Sequence, residues 1–431
     1  MYHAYSHYVI KNVELWTERG VISSVDLEVI DGHIHSVEKD LILTKGAHVI
    51  NGNGWTLLPA GVDPQVHLRV PGQAEKETAG TGLLAALRGG IGAVLSMPNT
   101  KPTIDSIEVC EAAVLELEEA EHMTGVKAYL TGSITQALKG KSPAPYEELA
   151  KWGVKAFTDD GLGVVDDDLM RSAFKASALT GLPILQHAEF PGHGGVLAAG
   201  PMQEKLGIAP YPAAAEADMV ARDINILRDY PKAHYHVLHV SAHETLELVS
   251  TAKKQALNVT CEVTPHHLWF SSDDIVDDRT SFKMNPPLRG VADRAALRHG
   301  LADGTIDFVA TDHAPHEASA KGANFKTSAF GTTGLETSLR VLLTLVREGV
   351  LSPQRLVQVF SSKPAQFLGI DKDIGDISKG RPMAGVLVDR QSASIITEDD
   401  LYSLSKNSCF LGEKLDGKIQ AVFLADRYYA F

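Results

Sequence analysis

Eight short apolar runs, each ending in a polar residue, constrain the fold of this chain more than any other feature. They alternate with amphipathic stretches at residues 107–122, 167–179, 213–229 and 242–256, which is typical of repeated β-α units. The predicted strands end near His67, Asn99, Thr131, Asp160, His187, His239, His266 and Asp312. Eight such units predict an α/β fold of the (β/α)8 TIM-barrel type. A six-stranded doubly wound sheet would leave strands over, and no Gly-X-Gly-X-X-Gly follows the first strand.

Both ends of the chain are β-rich and lie outside the eight units. Predicted strands cover residues 8–13, 24–30, 33–37, 385–389 and 418–424. Asp31-Gly32 is a hairpin signal between two of them. We therefore expect residues 1–56 and 371–431 to form one small composite β domain beside a metal-dependent barrel of residues 57–370.

The charge balance narrows the classes of partner. The 431 residues carry 40 basic and 54 acidic side chains, a formal net charge of −14, which disfavours nucleic acids and anionic membranes. The three cysteines are scattered and form no disulfide framework or Cys-X-X-Cys pair, which indicates a reducing cytoplasm. Neither a signal peptide nor an apolar run of about 18 residues is expected. A small anionic substrate remains compatible with local cations.

The polar residues at the strand ends are unusual in kind. They are His67, Arg69, Asn99, Asp160, His187, His239, Asp312, His313 and His316. In a barrel the C-terminal ends of the strands meet at one mouth, so these side chains should converge. Imidazoles and carboxylates together are ligands for zinc or a similar divalent ion. One such histidine is more often a hydrogen-bonded loop residue, but the repetition favours the mouth of a metal-dependent hydrolase.

Several sequence blocks resemble the dihydroorotase family of the amidohydrolase superfamily, in the same order and over nearly the whole chain. The blocks are residues 63–72, 97–100, 157–161, 187–189, 239–241, 264–268, 284–289, 310–316 and 330–336. Met97-Pro-Asn-Thr100 and His67-Leu-Arg69 favour the dihydroorotase branch over dihydropyrimidinases and allantoinases. The resemblance implies interconversion of N-carbamoyl-L-aspartate and L-dihydroorotate in pyrimidine biosynthesis.

The resemblance also implies a set of metal ligands. His67 would bind the first metal position, Asp160 would bridge the two positions, and His187 and His239 would hold the second. Asp312 would bind the first metal and act as general base and acid. The implied cofactor is zinc, with one ion expected and two as the alternative.

The same resemblance assigns the substrate contacts. Arg69, Asn99 and His316 would bind the substrate carboxylate, and Asn285 would contact the ring amide. Arginine and asparagine suit a planar carboxylate because several N–H donors can meet two oxygens. These residues favour a ring that bears a carboxylate over a hydantoin or allantoin.

The chain departs from the family pattern at its first strand. Gln65 stands where the family has the first histidine of His-X-His, and Val70 stands where a glutamate is frequent. Residues two apart in a strand face the same way, so Gln65 and His67 should both point into the mouth. Three interpretations stay open. The chain is an enzyme with one metal at the second position, an enzyme for another metal or cyclic amide, or an inactive subunit supporting aspartate transcarbamoylase.

The family resemblance also implies a homodimer.

Other conspicuous residues are given structural roles. His33 and His35 fit an exposed hairpin, and Lys155 and Asp159 have the opposite strand parity to Asp160. His266, His267 and His313 are expected to have no ligand role and to form hydrogen bonds next to the site. Residues 317–330 form either a mobile loop over the site or a solvated connection.

Overall fold

The computed structural model describes residues 2–43, 45–322 and 324–431. In chain order its strands are β1 (His3–Ala4), β2 (His7–Thr17), β3 (Gly20–Ile30), β4 (His33–Glu38), β5 (His48–Asn51), β6 (Thr56–Pro59), β7 (Gly61–Val66), β8 (Ile91–Ser96), β9 (Lys127–Leu130), β10 (Phe157–Thr158), β11 (Ile184–Gln186), β12 (Tyr235–Val237), β13 (Val259–Val263), β14 (Phe308–Val309), β15 (Ala384–Ile395), β16 (Lys414–Leu424) and β17 (Arg427–Ala430). Strands β7–β14 come from the middle of the chain, and the others come from its ends.

The helices lie mostly between the central strands. They are α1 (Ala79–Arg88), α2 (Ile107–Thr124), α3 (Tyr146–Trp152), α4 (Asp167–Thr180), α5 (Pro201–Leu206), α6 (Ala214–Leu227), α7 (His243–Lys254), α8 (Pro265–Trp269), α9 (Val291–Asp303), α10 (Ala318–Lys321), α11 (Ser338–Arg347), α12 (Pro353–Val357) and α13 (Lys363–Phe367). Short 3-10 turns cover Gln136–Leu138, Ser272–Asp274, Thr280–Phe282 and Glu398–Asp400, and a π turn, Gln358–Ser362, joins α12 to α13. None of the described helices is both long and apolar enough to cross a bilayer.

The eight central strands form the predicted parallel barrel. Strands β7–β9 pair in order, as do β10–β14, and all of these pairings are parallel. Parallel bridges from Gly132 to Phe157 and from Val66 to His313 join the two groups and close the ring. Each strand ends one to three residues before the polar position that marked it in the sequence, so the predicted barrel is confirmed.

Local sequence explains where the outer helices begin and end. The Asp166 carboxylate accepts a hydrogen bond from the Leu169 N–H at 2.9 Å and caps α4. Helices α2 and α4 end at Gly125 and Gly181, whose φ angles of +73° and +77° suit glycine. The four amphipathic stretches predicted from the sequence correspond to α2, α4, α6 and α7.

The two chain ends form one mixed sheet, as predicted. Its order is β1-β17-β16-β15-β6-β2-β3-β4, with β5 paired to β2. Asp31 and Gly32 have φ angles of +47° and +73° and make the expected hairpin turn. Tyr8, Leu27 and Phe423 belong to a buried cluster separate from the barrel core. The exact domain boundaries at 57 and 370 stay predictions.

Between β15 and β16 the chain crosses to the C-terminal end of the barrel. The Ser403 hydroxyl and the Leu404 N–H donate to Glu77, which directly precedes the N-cap of α1. The N–H groups of Tyr402 and Ser403 donate to Glu336. This crossing segment places the side chain of Asn407 beside the loop that follows β14.

Candidate metal centre and active site

One cavity of about 220 Å³ opens at the C-terminal end of the barrel. All nine residues to which the family resemblance gives a metal or substrate role line it: His67, Arg69, Asn99, Asp160, His187, His239, Asn285, Asp312 and His316. Gly161, Ala314, Phe330 and Gly331 complete its wall. Residues up to 249 positions apart (His67 and His316) thus share one small space, because the C-terminal ends of the parallel strands and the loops that follow them meet at one end of the barrel.

The second candidate metal position consists of Asp160, His187 and His239. His187 Nδ1 lies 2.9 Å from His239 Nε2, and these atoms lie 3.5 and 3.8 Å from the Asp160 Oδ1 atom. The three side chains are buried, and their ligand atoms lie within 4.8 Å of one another. Two imidazole nitrogens and a carboxylate oxygen facing one point are a donor set that suits a divalent ion such as zinc.

The first candidate metal position consists of His67, Asp160 and Asp312. His67 Nε2 lies 3.0 Å from Asp312 Oδ1 and 3.2 Å from Asp160 Oδ2. Its other nitrogen, Nδ1, lies 2.9 Å from the Asn99 Oδ1 atom. This set offers two carboxylates but only one imidazole. Its donor atoms also lie within 4.8 Å of one another and fit a cation.

Gln65 does not line the cavity. It is fully buried in β7, and neither polar atom of its amide has a hydrogen-bond partner among the described residues. The pairing of β7 with β8 is irregular between Asp63 and Val66, so simple alternation does not hold there. The first position therefore draws its ligands from His67 and the two carboxylates.

Three site residues have backbone angles that are rare outside glycine. The φ angles of Arg69, His239 and Asp312 are +61°, +31° and +48°. Such conformations cost of order 1–3 kcal/mol each, and they persist where the surrounding structure enforces them. Here each follows the end of a barrel strand, and the turn directs its side chain into the cavity.

Proton affinities in the cluster reflect its buried carboxylates. Burial alone would lower the pKa of His67, but hydrogen bonds to Asp160 and Asp312 raise it to about 9. Burial likewise opposes protonation of His187, but Asp160 and Glu189 raise its pKa to about 10. Burial would raise the pKa of Asp160, yet hydrogen bonds from the histidines hold it well below its usual range. The cluster therefore favours positive charge, which a divalent ion can supply.

Arg69 and His316 lie together on another part of the cavity wall. Arg69 Nη2 is 3.3 Å from His316 Nε2, and Arg69 Nε donates to the Pro315 carbonyl at 3.3 Å. Burial and then the charge of Arg69 lower the pKa of His316 to about 3, so its ring is neutral. His316 Nδ1 and Asn285 Oδ1 are buried and have no partner among the described residues, which leaves them for a bound ligand.

Glu189 lies in the sequence block 187–189, but the sequence analysis gave it no role. Its carboxylate lies 3.2 Å from His187 Nε2 and accepts hydrogen bonds from Asn285 Nδ2 at 2.7 Å. His193 Nε2 lies 2.9 Å from its other oxygen. A carboxylate behind a ligating histidine fixes the ring orientation and the tautomer. The signal that could have found it is its position two residues after His187, just beyond β11.

The other histidines near the strand ends do not line the cavity. His267 Nδ1 lies 2.7 Å from the Thr264 hydroxyl, and its Nε2 lies 3.2 Å from the Pro286 carbonyl next to Asn285. His313 Nε2 lies 3.4 Å from Glu77. His266 is buried, and its ring centre lies 4.6 Å from that of His267.

Asp159 and Lys155 lie away from the cavity. The Asp159 carboxylate accepts hydrogen bonds from Ile134 and Thr135, and the Lys155 ammonium lies 5.1 Å from the Tyr129 ring. His33 is exposed in the hairpin. These placements agree with the structural roles expected from strand parity.

Comparison with known proteins adds an independent line of support. Residues 56–427 match the profile described as the amidohydrolase family. The chain is 40% identical over 414 residues to a dihydroorotase of Bacillus cereus, and 39% identical over 414 residues to one of Bacillus cytotoxicus. Each alignment covers 95% of this chain and 95% of the relative. The fold is similar to that of an L-hydantoinase (dihydropyrimidinase) from Arthrobacter aurescens, with a TM-score of 0.86 and 25% identity over 97% of this chain and 94% of that one.

Proposed function

The chain belongs to the amidohydrolase family, and from that premise we propose that it is a dihydroorotase. It is a metal-dependent cyclic amidohydrolase, and its reaction is the interconversion of N-carbamoyl-L-aspartate and L-dihydroorotate in pyrimidine biosynthesis. One observation carries the proposal: a carboxylate-binding set and a metal-capable cluster share one cavity of about 220 Å³. Relatives named as dihydroorotases, aligned over 95% of the chain, support it.

We assign the metal to the second position. Asp160, His187 and His239 would hold one zinc ion, and three protein ligands leave a coordination site open. A bound zinc ion supplies Lewis acidity that polarises the scissile carbonyl and lowers the pKa of water. His67 and Asp312 could hold a second ion with Asp160, but Gln65 removes the additional imidazole that the family places there.

Asp312 is the proposed proton carrier of the reaction. In hydrolysis, the oxygen of water bonds to the ring carbonyl carbon, the ring C–N bond breaks, and a proton passes to the departing nitrogen. The Asp312 carboxylate lines the cavity and can take the proton from water and return it to nitrogen. His67, 3.0 Å from its Oδ1 atom, orients that carboxylate.

The polar residues outside the two metal positions are assigned to orienting the substrate. The Arg69 guanidinium and the neutral His316 ring bind the substrate carboxylate, with the Asn99 amide beside them. The Asn285 amide, whose oxygen has no partner among the described residues, contacts the ring amide. A hydantoin without a carboxylate would leave the buried guanidinium unpaired, which is costly.

The test combines metal analysis with turnover. We expect about one zinc per chain, hydrolysis of L-dihydroorotate, and cyclisation of N-carbamoyl-L-aspartate. Arg69→Met should raise KM for dihydroorotate by about 10–100-fold, because a charge-assisted pair to the carboxylate is lost. Turnover of hydantoin without turnover of dihydroorotate would instead assign a hydantoinase.

The second candidate is a non-catalytic subunit, which Gln65 specifically favours. It predicts no turnover after zinc is supplied and co-purification with an aspartate transcarbamoylase.

We further propose a homodimer, to be tested by sedimentation, and a cytoplasmic location. The three cysteines, all free and buried, support that location.

A further inference from the structure

The loop after β14 contributes part of the cavity wall. Phe330 and Gly331 line the cavity together with His316 and Asn285. Asn285 belongs to a different segment, which also contains Lys283. The Gly331 N–H donates to the Lys283 carbonyl at 2.8 Å, so the two segments meet directly beside the cavity.

Lys321 links these two segments with its side chain. Its ammonium donates to the carbonyls of Lys283 at 3.3 Å, Ala329 at 3.0 Å and Gly331 at 2.8 Å. Three N–H donors thus meet three carbonyl oxygens, and Lys321 is only 6% exposed. No carboxylate of the described residues lies within ion-pair distance of this ammonium. A lysine head group without a carboxylate partner is costly to bury, and the three carbonyl acceptors offset that cost while they fix its position.

Lys283, a second buried lysine, contacts the same loop from the Asn285 segment. Lys283 Nζ donates to the carbonyls of Phe325 and Lys326, and it lies 4.6 Å from the centre of the Phe330 ring. Lys321 therefore reaches from the loop to the Lys283 backbone, and Lys283 reaches from its segment back to the loop. The two contacts oppose sliding of one segment along the other.

The wall has little space behind it. The φ angle of Gly331 is +135°, and a Cβ atom there would lie 2.7 Å from the Ala314 carbonyl oxygen and 3.1 Å from His316 Cδ2. The Asn407 amide of the crossing segment donates to the carbonyls of Gly331 and Ala314 at 3.1 and 3.3 Å. The position of Gly331 is thus fixed by backbone, side-chain and steric contacts together.

We propose that Lys321 is a positioning residue that fixes the wall formed by Phe330 and Gly331 against the Asn285 segment. The fixed wall limits the room beside Arg69 and His316 to a small ring that carries a carboxylate. The inference rests on the proposed function, and it gives residues 317–322 and 324–330, the described part of the predicted loop, the role of a fixed wall instead of a mobile lid or a simple connection.

The experiment compares the zinc-loaded full chain with Lys321→Met. We expect KM for L-dihydroorotate to rise about tenfold or more, while kcat changes by less than about threefold, because binding geometry is lost and the ligand cluster is intact. The ratio of kcat/KM for dihydroorotate to kcat/KM for hydantoin should fall in proportion to the rise in KM. Zinc content should not change. A lower Tm with unchanged KM and preference would overturn the proposal, since Lys321 would then only stabilise the fold.

Two further variants keep the test decisive. Lys326→Met removes an exposed ammonium from the same loop and should behave as wild type. Gly331→Ala inserts a methyl group against Ala314 and His316 and should raise KM as Lys321→Met does, even if the lysine variant does not fold. An unchanged KM in Gly331→Ala would show that the wall does not set the fit.

Failure of the proposed function is distinguishable from failure of this inference. If the wild-type protein neither binds nor turns over dihydroorotate, the dihydroorotase assignment fails. Chymotryptic cleavage at Phe325 and Phe330 then tests the loop itself. Faster cleavage in Lys321→Met than in wild type or Lys326→Met is expected if Lys321 holds the wall, and equal rates would overturn that.

Discussion

The two candidate metal positions share Asp160 but differ in how they are built. At the second position two imidazole nitrogens face each other at 2.9 Å beside one carboxylate, and Glu189 supports His187 from behind. At the first position a single imidazole, His67, stands between two carboxylates. Two positions that share a carboxylate can therefore differ both in their number of imidazoles and in the carboxylate that supports them.

The largest effect is expected from removing an imidazole of the second position. His239→Ala should abolish both zinc retention and turnover, because this position then keeps only Asp160 and His187. The loss of zinc affinity should exceed the roughly 10–100-fold cost of losing an outer partner. Zinc per chain after gel filtration checks it, and His122→Ala, which removes an exposed histidine of α2, should retain wild-type content. Wild-type zinc content in His239→Ala would mean that the metal is held elsewhere.

Asp312→Asn should separate chemistry from metal binding at the second position. The amide cannot accept the proton from water, so kcat should fall by about 10²–10⁴-fold. Zinc content should stay near the wild-type value, since Asp312 belongs only to the first position. Measured turnover and zinc stoichiometry check this together. Loss of zinc as well would show that the two positions do not divide the ligands as we assign them.

Glu189→Gln should weaken the second position without emptying it. The amide can present either oxygen or NH₂ to His187, so the ring orientation and tautomer are less firmly set. Zinc affinity should fall by about 10–100-fold in a chelator titration. Glu204→Gln, an exposed carboxylate on α5, is the matched control. Equal affinity in both variants would remove Glu189 from the support of the metal.

The smallest change in turnover is expected from Gln65→His, which restores the family residue at position 65. Zinc stoichiometry should stay near one per chain and kcat/KM should change by less than about tenfold, because residue 65 lies outside the cavity wall and the second position already supplies the chemistry. Metal analysis at saturating zinc checks it. A stoichiometry that rises towards two would show that residue 65 does reach the first position.

Much of the site could be predicted from the sequence because barrels place strand ends together. Asp160, His187 and His239 each follow a short apolar run, and that local pattern alone marks them as residues of the mouth. The side chain of Gln65 could not be placed in the same way. Strict alternation directs it into the mouth, but the irregular register between β7 and β8 interrupts that alternation.

Glu189 and Lys321 show a different limit. Neither belongs to a periodic pattern, and their partners are distant side chains or the backbone carbonyls of other segments. Asn407 is similar, since its segment was expected to belong with the β strands around it. Its contacts with Ala314 and Gly331 exist only because the chain crosses back to the barrel.

The alternation of strands and helices, the types of ligand and their order along the chain can all be read from the sequence. These follow from hydrophobic periodicity and side-chain chemistry, which are local properties. Tertiary packing is what brings His67 to Asp312 across 245 residues, leaves Gln65 outside the cavity lining, and lets Lys321 donate to the Gly331 carbonyl. Such pairings depend on how the barrel closes and on where carbonyl groups are left to be bonded, and no short stretch of sequence specifies either.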